Sequence, residues 1–362
     1  MDAAEEPLFS TAGLLARGLL DVTDDPAALD SAGFWAVLAT FEGTLTCAKF
    51  AHVGPGSPAP APWAGPRRQD WTSSLDRAAY LGAVESTRTR IAAGEVYQAN
   101  LCRVLSAPLP DPDRANMAGL ANRLGRGNPA PYAATLQLRE AGVHVASASP
   151  ELFLRRAGRT VESGPIKGTG RGSADLQEKD RAENVMIVDL VRNDLGRVCE
   201  TGSITVPALC AVEQHPGLVH LVSTVQGELR ADMGWGDLLA ATFPPGSVTG
   251  APKLAALDVI AALEPTPRGP YCGAIGWVDA DAGTACLSVG IRTFWREDDR
   301  LLFGTGAGIT WGSDPAAEWA ETELKAERLL ALASTHSVAS ARSAPTAADL
   351  ADATGAAGGG AR

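Results

Sequence analysis

Histidine is scarce in this sequence, with five in 362 residues, so acid–base or metal chemistry is expected to lean on carboxylates and lysine. The six cysteines, Cys47, Cys102, Cys199, Cys210, Cys272 and Cys286, form no CxxC pair. That pattern disfavours a zinc site or a disulfide framework and predicts reduced, mostly buried thiols. No apolar run reaches the about 18 residues that span a bilayer. The acidic start MDAAEEPLF carries no basic leader region, so a cytoplasmic protein is expected. Lys and Arg total 31 against 42 Asp and Glu, a net charge of −11. Nucleic-acid and anionic-membrane surfaces need clustered cations, so neither partner is expected and small ligands are.

What the sequence does have is 45% hydrophobic residues, enough for a large core in one big domain or two intimate ones. A Pro/Gly/Ala-rich stretch over 54–71 predicts a linker between an N-terminal subdomain (1–53) and a main domain (72–333). The last residues, 334–362, hold too little bulky apolar content to fold and are expected to be a disordered tail. FWAVLATFEGTLTCAKFAHV reads as a hairpin turning at Glu42-Gly43, and PYAATLQLREAGVHVASASPELFLRR as another turning at Glu140 to Gly142. A third ribbon, Tyr271 to Thr310, turns near Asp279 to Gly283 and at Arg296 to Arg300. Turns this short impose antiparallel pairing. Helical spacing marks Ser74 to Ala93, Ala174 to Val198, Ala251 to Glu264 and Pro315 to Ala333. Hairpins mixed with long helices mean an α+β fold.

Three glycine-rich stretches fail the spacing of nucleotide-binding loops: GPIKGTG, GSVTGAPK and GTGAGIT. In FPPGSVTGAPKLAALDVI, Pro252 suits a first helical position, and the amides from Thr249 to Lys253 make a helix start that attracts an anion or is simply capped. Strand alternation from Ala285 to Trp295 sets Ser288, Gly290 and Arg292 on one face, leaving room for a carboxylate beside the guanidinium. Asp180 and Glu183 lie three apart at one helix start, and Glu318 and Glu321 three apart at another. Each pair serves its helix dipole or, if the helices converge, forms a hard-cation site that suits Mg²⁺. In SGPIKGTGRG, Lys167 sits between a proline and two glycines, either as a solvated charge or as a functional amine.

In order along 72–333, EVYQANLCR, SPELFL, SGPIKGT, KDRAENVMIVDLVRNDLGRV, HLVSTVQGEL, PPGSVTGAPK, YCGAIGW, IRT and GTGAGITWGSDPAAEWAETELKA resemble the chorismate-utilising enzymes. The resemblance implies large antiparallel sheets packed together with helices outside, and makes 72–333 the chorismate-binding domain. Within the family, PIKGT is similar to aminodeoxychorismate synthase component I, where anthranilate synthase component I reads PIAGT.

Several roles follow from the resemblance. Lys167 is implied as a nucleophile that attacks C2 of chorismate before ammonia adds at C4, giving 4-amino-4-deoxychorismate for p-aminobenzoate and folate synthesis. Glu151 is the implied acid for the departing hydroxyl, Gln98 replaces a general-base lysine of the water-adding relatives, and His220 and Thr249 lie near the ring. Tyr271, Arg292, Gly306, Ala307, Gly308, Gly168 and Thr169 are implied to hold the substrate. Glu183 and Glu321 are implied Mg²⁺ ligands, with Asp180 and Glu318 acting through water; Asp180 is shorter than the Glu of anthranilate synthases. No segment resembles a glutaminase, so a glutamine amidotransferase subunit is the expected partner supplying ammonia. The alternatives are anthranilate synthase component I and a non-catalytic chorismate-binding regulator.

Overall fold

The computed structural model describes residues 6–170, 172–176, 178–215 and 218–335. Of the tail 334–362 expected to be disordered, Ser334 and Thr335 are instead packed, the Ser334 amide donating to Leu330 at 2.9 Å and the Thr335 amide to Pro66 at 3.0 Å, and residues from 336 onward lie outside the described residues.

The strands form one continuous antiparallel ribbon whose order in space differs sharply from chain order. At one end Thr205–His215 pairs with Leu218–Glu228, which also pairs with Thr160–Gly164 and Ile166–Gly170. The ribbon continues through Leu152–Ala157, Thr284–Val289 and Ala274–Asp279 to Phe34–Ala39. From there it runs through Leu45–Pro55, Leu14–Thr23 and Leu8–Thr11 to Tyr132–Leu138. Val143–Ser149, Thr293–Glu297, Arg300–Ile309 and Gln98–Pro108 complete it. The N-terminal stretch thus supplies four strands to the middle of the ribbon, bonded on both sides. All three hairpin ribbons expected from the turn residues form, with antiparallel registers.

Among the described residues six α-helices cover the sheet: α1 (Arg77–Ala92), α2 (Met117–Gly127), α3 (Glu178–Gly196), α4 (Trp235–Thr242), α5 (Lys253–Leu263) and α6 (Pro315–Ala333). Their ends follow local chemistry. Asp76 accepts the Ala79 amide at 2.8 Å ahead of α1, and Asp314 accepts the Ala317 amide at 2.8 Å ahead of α6, with Pro315 at the first helical position. Helix α6 buries Thr322, Ala326, Leu329, Leu330 and Ala333, a helical stripe that packs with Leu120 and Leu124 of α2 and with Phe294 and Phe303 of the sheet. The main core lies among the strands and under α3 and α4.

Two helices, α2 and α4, escape the periodicity reading. Of the three glycines in α2, a Cβ on Gly119 would sit 2.6 Å from the Pro62 carbonyl oxygen and one on Gly127 2.4 Å from Leu332, so close packing accounts for these two, while Gly125 faces open space. Helix α4 has only eight residues and opens on Gly234, whose amide donates to the Asp237 carboxylate at 3.0 Å. The proline-rich stretch 54–71 is packed: the Trp63 indole donates to the Ala333 carbonyl at 2.7 Å, and the Thr335 amide to Pro66 at 3.0 Å.

Two local expectations are corrected. Ala285 to Trp295 is not one strand: Thr284–Val289 and Thr293–Glu297 pair with different partners, and Arg292 between them has a left-handed backbone, φ 52°. The chain breaks there because it crosses from one part of the ribbon to another, so simple alternation does not set the facing of Arg292. Pro252 is also not the first helical residue: it is the extended cap, and α5 begins at Lys253. Gly250 and Ala251 pair with Ala99 and Gln98 in the sheet, and the Lys253 ammonium turns to Asp194 at 2.7 Å.

Candidate active site

Lys167 lies on Ile166–Gly170, near one end of the ribbon, opposite Leu221 in register. After it the register slips at Gly168, whose φ of +77° and tight approach to Asp180 leave no room for a side chain; an added Cβ would meet the Asp180 Cβ at 2.9 Å. The bulge thereby seats the lysine strand directly on the first turn of α3. Thr169 pairs with His220, which is buried; the Thr169 side chain lies outside the described residues.

The Lys167 ammonium donates to the Ser247 carbonyl oxygen at 3.3 Å. Ser247 belongs to the buried turn Gly246–Val248, and its side chain lies beside the carboxyl of Glu151, as does the Ile166 amide. Glu151 is 4% exposed. Burial pushes its carboxyl above the usual carboxylate range, against the opposing pull of Ser247, Lys167, the Ile166 amide and Arg292. Arg292 is itself pushed down by burial and held up by Glu151. A carboxyl raised by burial, an ammonium and a guanidinium therefore lie close to one another.

The far end of the ribbon approaches Lys167. Gly308 is opposite Asn100 and Gly306 opposite Cys102 on Gln98–Pro108. A Cβ at Gly308 would lie 2.3 Å from the Gln98 side-chain nitrogen and 3.8 Å from the Lys167 nitrogen. Gly308 is bare so that glutamine and lysine can meet across it. Gln98 is 1% exposed, and its side-chain oxygen finds no partner among the described residues. Such an acceptor costs about 1–3 kcal/mol to bury unsatisfied, which a ligand's donor would recover. Tyr271 is buried with its ring against Gly304 and its hydroxyl 3.9 Å from the Cys102 sulfur; burial pushes the phenol well above its usual value. Ala307 is buried beside Leu101. Thr249 is buried too, but its hydroxyl donates to Pro245 and Gly246 within its own turn.

One carboxylate from each pair approaches the same lysine. Lys179 lies between them, 3.6 Å from Glu183 of α3 and 3.9 Å from Glu318 of α6. Lys325 holds Glu321 at 2.6 Å and donates to the Gly306 carbonyl at 3.0 Å, tying this acidic patch to the glycine strand. Burial raises the Glu318 carboxyl, with Glu321 adding to the rise. Burial also pushes Glu321 upward, but Lys325, Lys179 and Lys167 prevail and hold it below the usual range. Among the described residues no three carboxylates stand as a finished cation cage. The donor chemistry nevertheless fits a hard cation: acidic oxygens from two helix starts share a lysine ammonium that a divalent ion could replace.

The structure thus brings Lys167, Glu151, Gln98, Arg292, Gly308, Gly168 and the acidic pairs into one neighbourhood. Ser247, Lys179 and Lys325 were missed as site residues. The i, i+4 spacing of Lys179 to Glu183 and of Glu321 to Lys325 signalled both lysines. Nothing local marked Ser247, whose partners are 80 or more residues away.

The family model for chorismate binding enzymes matches residues 44–331. The chain is 42% identical over 274 residues to anthranilate synthase component 1 of Streptomyces coelicolor, covering 72% of this chain and 52% of that one. It is 44% identical over 265 residues to aminodeoxychorismate synthase of Streptomyces pristinaespiralis, covering 70% and 36%. To aminodeoxychorismate synthase component 1 of Klebsiella aerogenes it is 39% identical over 272 residues, covering 72% and 59%. The chain therefore spans between about a third and three fifths of these relatives. Among solved structures, anthranilate synthase component I from Streptococcus pneumoniae superposes with TM-score 0.76 at 24% identity, over 89% of this chain and 92% of that one. The menaquinone-specific isochorismate synthase MenF from Escherichia coli gives 0.76 at 19%, over 91% and 90%. These two establish the fold, the expected α+β architecture of large antiparallel sheet and outer helices. With most of its length matched by the family model, this chain belongs to the chorismate binding enzymes.

Proposed function

We propose that the chain aminates chorismate at C4, as an aminodeoxychorismate synthase component I. The observation that carries this reading is the Lys167 amine set beside the raised, buried carboxyl of Glu151 through their shared neighbour Ser247. In the reaction, the free amine of Lys167 attacks C2, both ring double bonds shift along the ring toward C4, and the 4-hydroxyl leaves as water with the Glu151 proton. Ammonia then attacks C4, both double bonds shift back, and the lysine departs from C2. Two displacements of modest difficulty replace one hard one. Gln98 has no basic nitrogen with which to deprotonate water, which favours ammonia as the incoming group. Arg292, Tyr271 and the Gly306 to Gly308 backbone hold the substrate carboxylates.

Mg²⁺ would be held by Glu183 and Glu321 directly and by Asp180 and Glu318 through water, where it would neutralise a substrate carboxylate. Lys179 would have to withdraw. Ammonia would come from glutamine through a separate amidotransferase subunit, and the product would serve p-aminobenzoate and folate synthesis.

Incubating the chain with chorismate, Mg²⁺ and ammonium, and identifying the product by mass and ultraviolet spectrum, tests the reading. Formation of 4-amino-4-deoxychorismate is expected. Anthranilate as the product would overturn it in favour of anthranilate synthase, and tight chorismate binding without turnover would leave a regulator.

A further inference from the structure

Arg268 is one of the largest fully buried side chains in the molecule, 1% exposed, and every arm of its guanidinium is engaged. One terminal nitrogen donates to the Val248 carbonyl at 2.9 Å, and the other to the Asn100 carbonyl at 2.8 Å. Glu264 takes the remaining side of the fork, accepting from Nε at 2.8 Å and from Nη2 at 2.6 Å. The same Glu264 accepts the Cys102 amide at 2.8 Å, and the ring of Phe41 covers the guanidinium at 4.2 Å. On the surface, Glu42 accepts the Arg268 and Gly269 amides at 2.7 and 3.1 Å.

Both carbonyls gripped by the guanidinium belong to segments that carry reacting groups. Val248 follows Ser247, which neighbours Lys167 and Glu151. Asn100 lies two residues from Gln98 and opposite Gly308. The same two segments pair in the sheet from Thr249 onward, through the Asn100 amide to the Thr249 carbonyl and the Tyr97 amide to the Ala251 carbonyl, both at 2.7 Å, but neither bond holds the Ser247 turn that precedes them. A planar fork bonded to Val248 and Asn100 extends the tie to that turn. A bare packing role would be met by an apolar side chain without the cost of burying an ion pair.

We infer that Arg268, braced by Glu264 and capped by the Phe41-Glu42 turn, is a positioning residue that sets the Ser247 turn, and with it Lys167 and Glu151, at a fixed distance from Gln98 and Gly308. The inference rests on the proposed roles of those residues. It also gives the N-terminal hairpin a function: its turn is the outer wall of the clamp, so a displacement of Phe41 or Glu42 reaches the acid and the amine through one side chain.

The test compares wild type with Arg268→Lys, which keeps the charge but not the fork, and with Glu42→Ala at the exposed end. With chorismate, Mg²⁺ and ammonium, Arg268→Lys is expected to lose about tenfold to a hundredfold in kcat with KM for chorismate within about threefold, because misplacement by an ångström costs about that much. Glu42→Ala is expected to lose about twofold to fivefold in the same pattern. The Glu151 carboxyl, followed by difference infrared against Glu151→Gln, should titrate lower in both variants as water reaches it. Wild-type kcat and wild-type Glu151 titration in folded protein, whatever the thermal midpoint does, overturn the inference. If Arg268→Lys does not fold, Glu42→Ala decides alone by the same criteria. If wild type does not turn over chorismate, the proposed function fails, and the infrared titration still decides the clamp.

Discussion

The Lys167 ammonium reaches the Ser247 carbonyl oxygen at 3.3 Å, and that bond joins residues 80 positions apart. The Ser247 side chain lies beside Glu151, so one residue neighbours both the proposed nucleophile and the proposed acid, backbone to one and side chain to the other.

Lys167→Ala tests the nucleophile. Formation of 4-amino-4-deoxychorismate should fall by at least about a hundredfold, the scale expected for removing a covalent group, while chorismate still binds. A trace of anthranilate-type product, from ammonia adding at the vacated C2 with loss of pyruvate, would support the reading. Wild-type rates from this variant would return Lys167 to the role of a charge in a glycine-rich turn.

Glu151 carries a sign. Its folded carboxyl is raised by burial, so the proton is held to higher pH than in the unfolded chain. The stability it contributes is fully present below the unfolded value, about 4.3, and is lost as pH rises through the folded one. Glu151→Gln should abolish turnover by about a hundredfold to ten-thousandfold. The same variant should lose less stability than wild type as pH rises; equal pH dependence by calorimetry would show that the carboxyl is not held protonated.

Glu183→Gln and Glu321→Gln should each remove Mg²⁺-dependent activity. The readout independent of turnover is the thermal midpoint: Mg²⁺ at a hundredfold excess over its Kd should stabilise wild type by about 2.7 kcal/mol and the variants by much less. Full activity after exhaustive chelation, or identical Mg²⁺ shifts in the variants, would reduce these glutamates to helix-start residues worth about 0.3–1 kcal/mol each.

Gly308→Ala places a methyl 2.3 Å from the Gln98 nitrogen and 3.8 Å from the Lys167 nitrogen. Gln98 must then swing away, and kcat should drop by about tenfold or more through lost alignment, with little loss of stability. Unchanged kinetics would mean that the glycine is there for strand packing alone.

Glutamine should not replace ammonium for the isolated chain, and should do so once an amidotransferase subunit is added. Ammonia release from glutamine by the chain alone, measured with glutamate dehydrogenase, would reveal a glutaminase site in it.

Much of this was legible locally. The hairpin turns, the helical spacing of Pro315 to Ala333 and the i, i+3 carboxylates are short-range features, because a turn or a helical face is decided by residues within about four positions. The motifs around Glu151, Lys167 and Gln98 were readable as a family pattern. What only the tertiary structure decided is long-range: that the four N-terminal strands enter the middle of the ribbon, that its ends close so that Gly308 faces Lys167, that two helix starts share Lys179, and that Ser247 neighbours both acid and amine. The break at Arg292 and the helix α2 escaped the local reading for the same reason. Backbone conformation and space at those positions are set by partners far away in sequence, such as the Ser147 strand and Pro62, and no nearby residue encodes a contact with them.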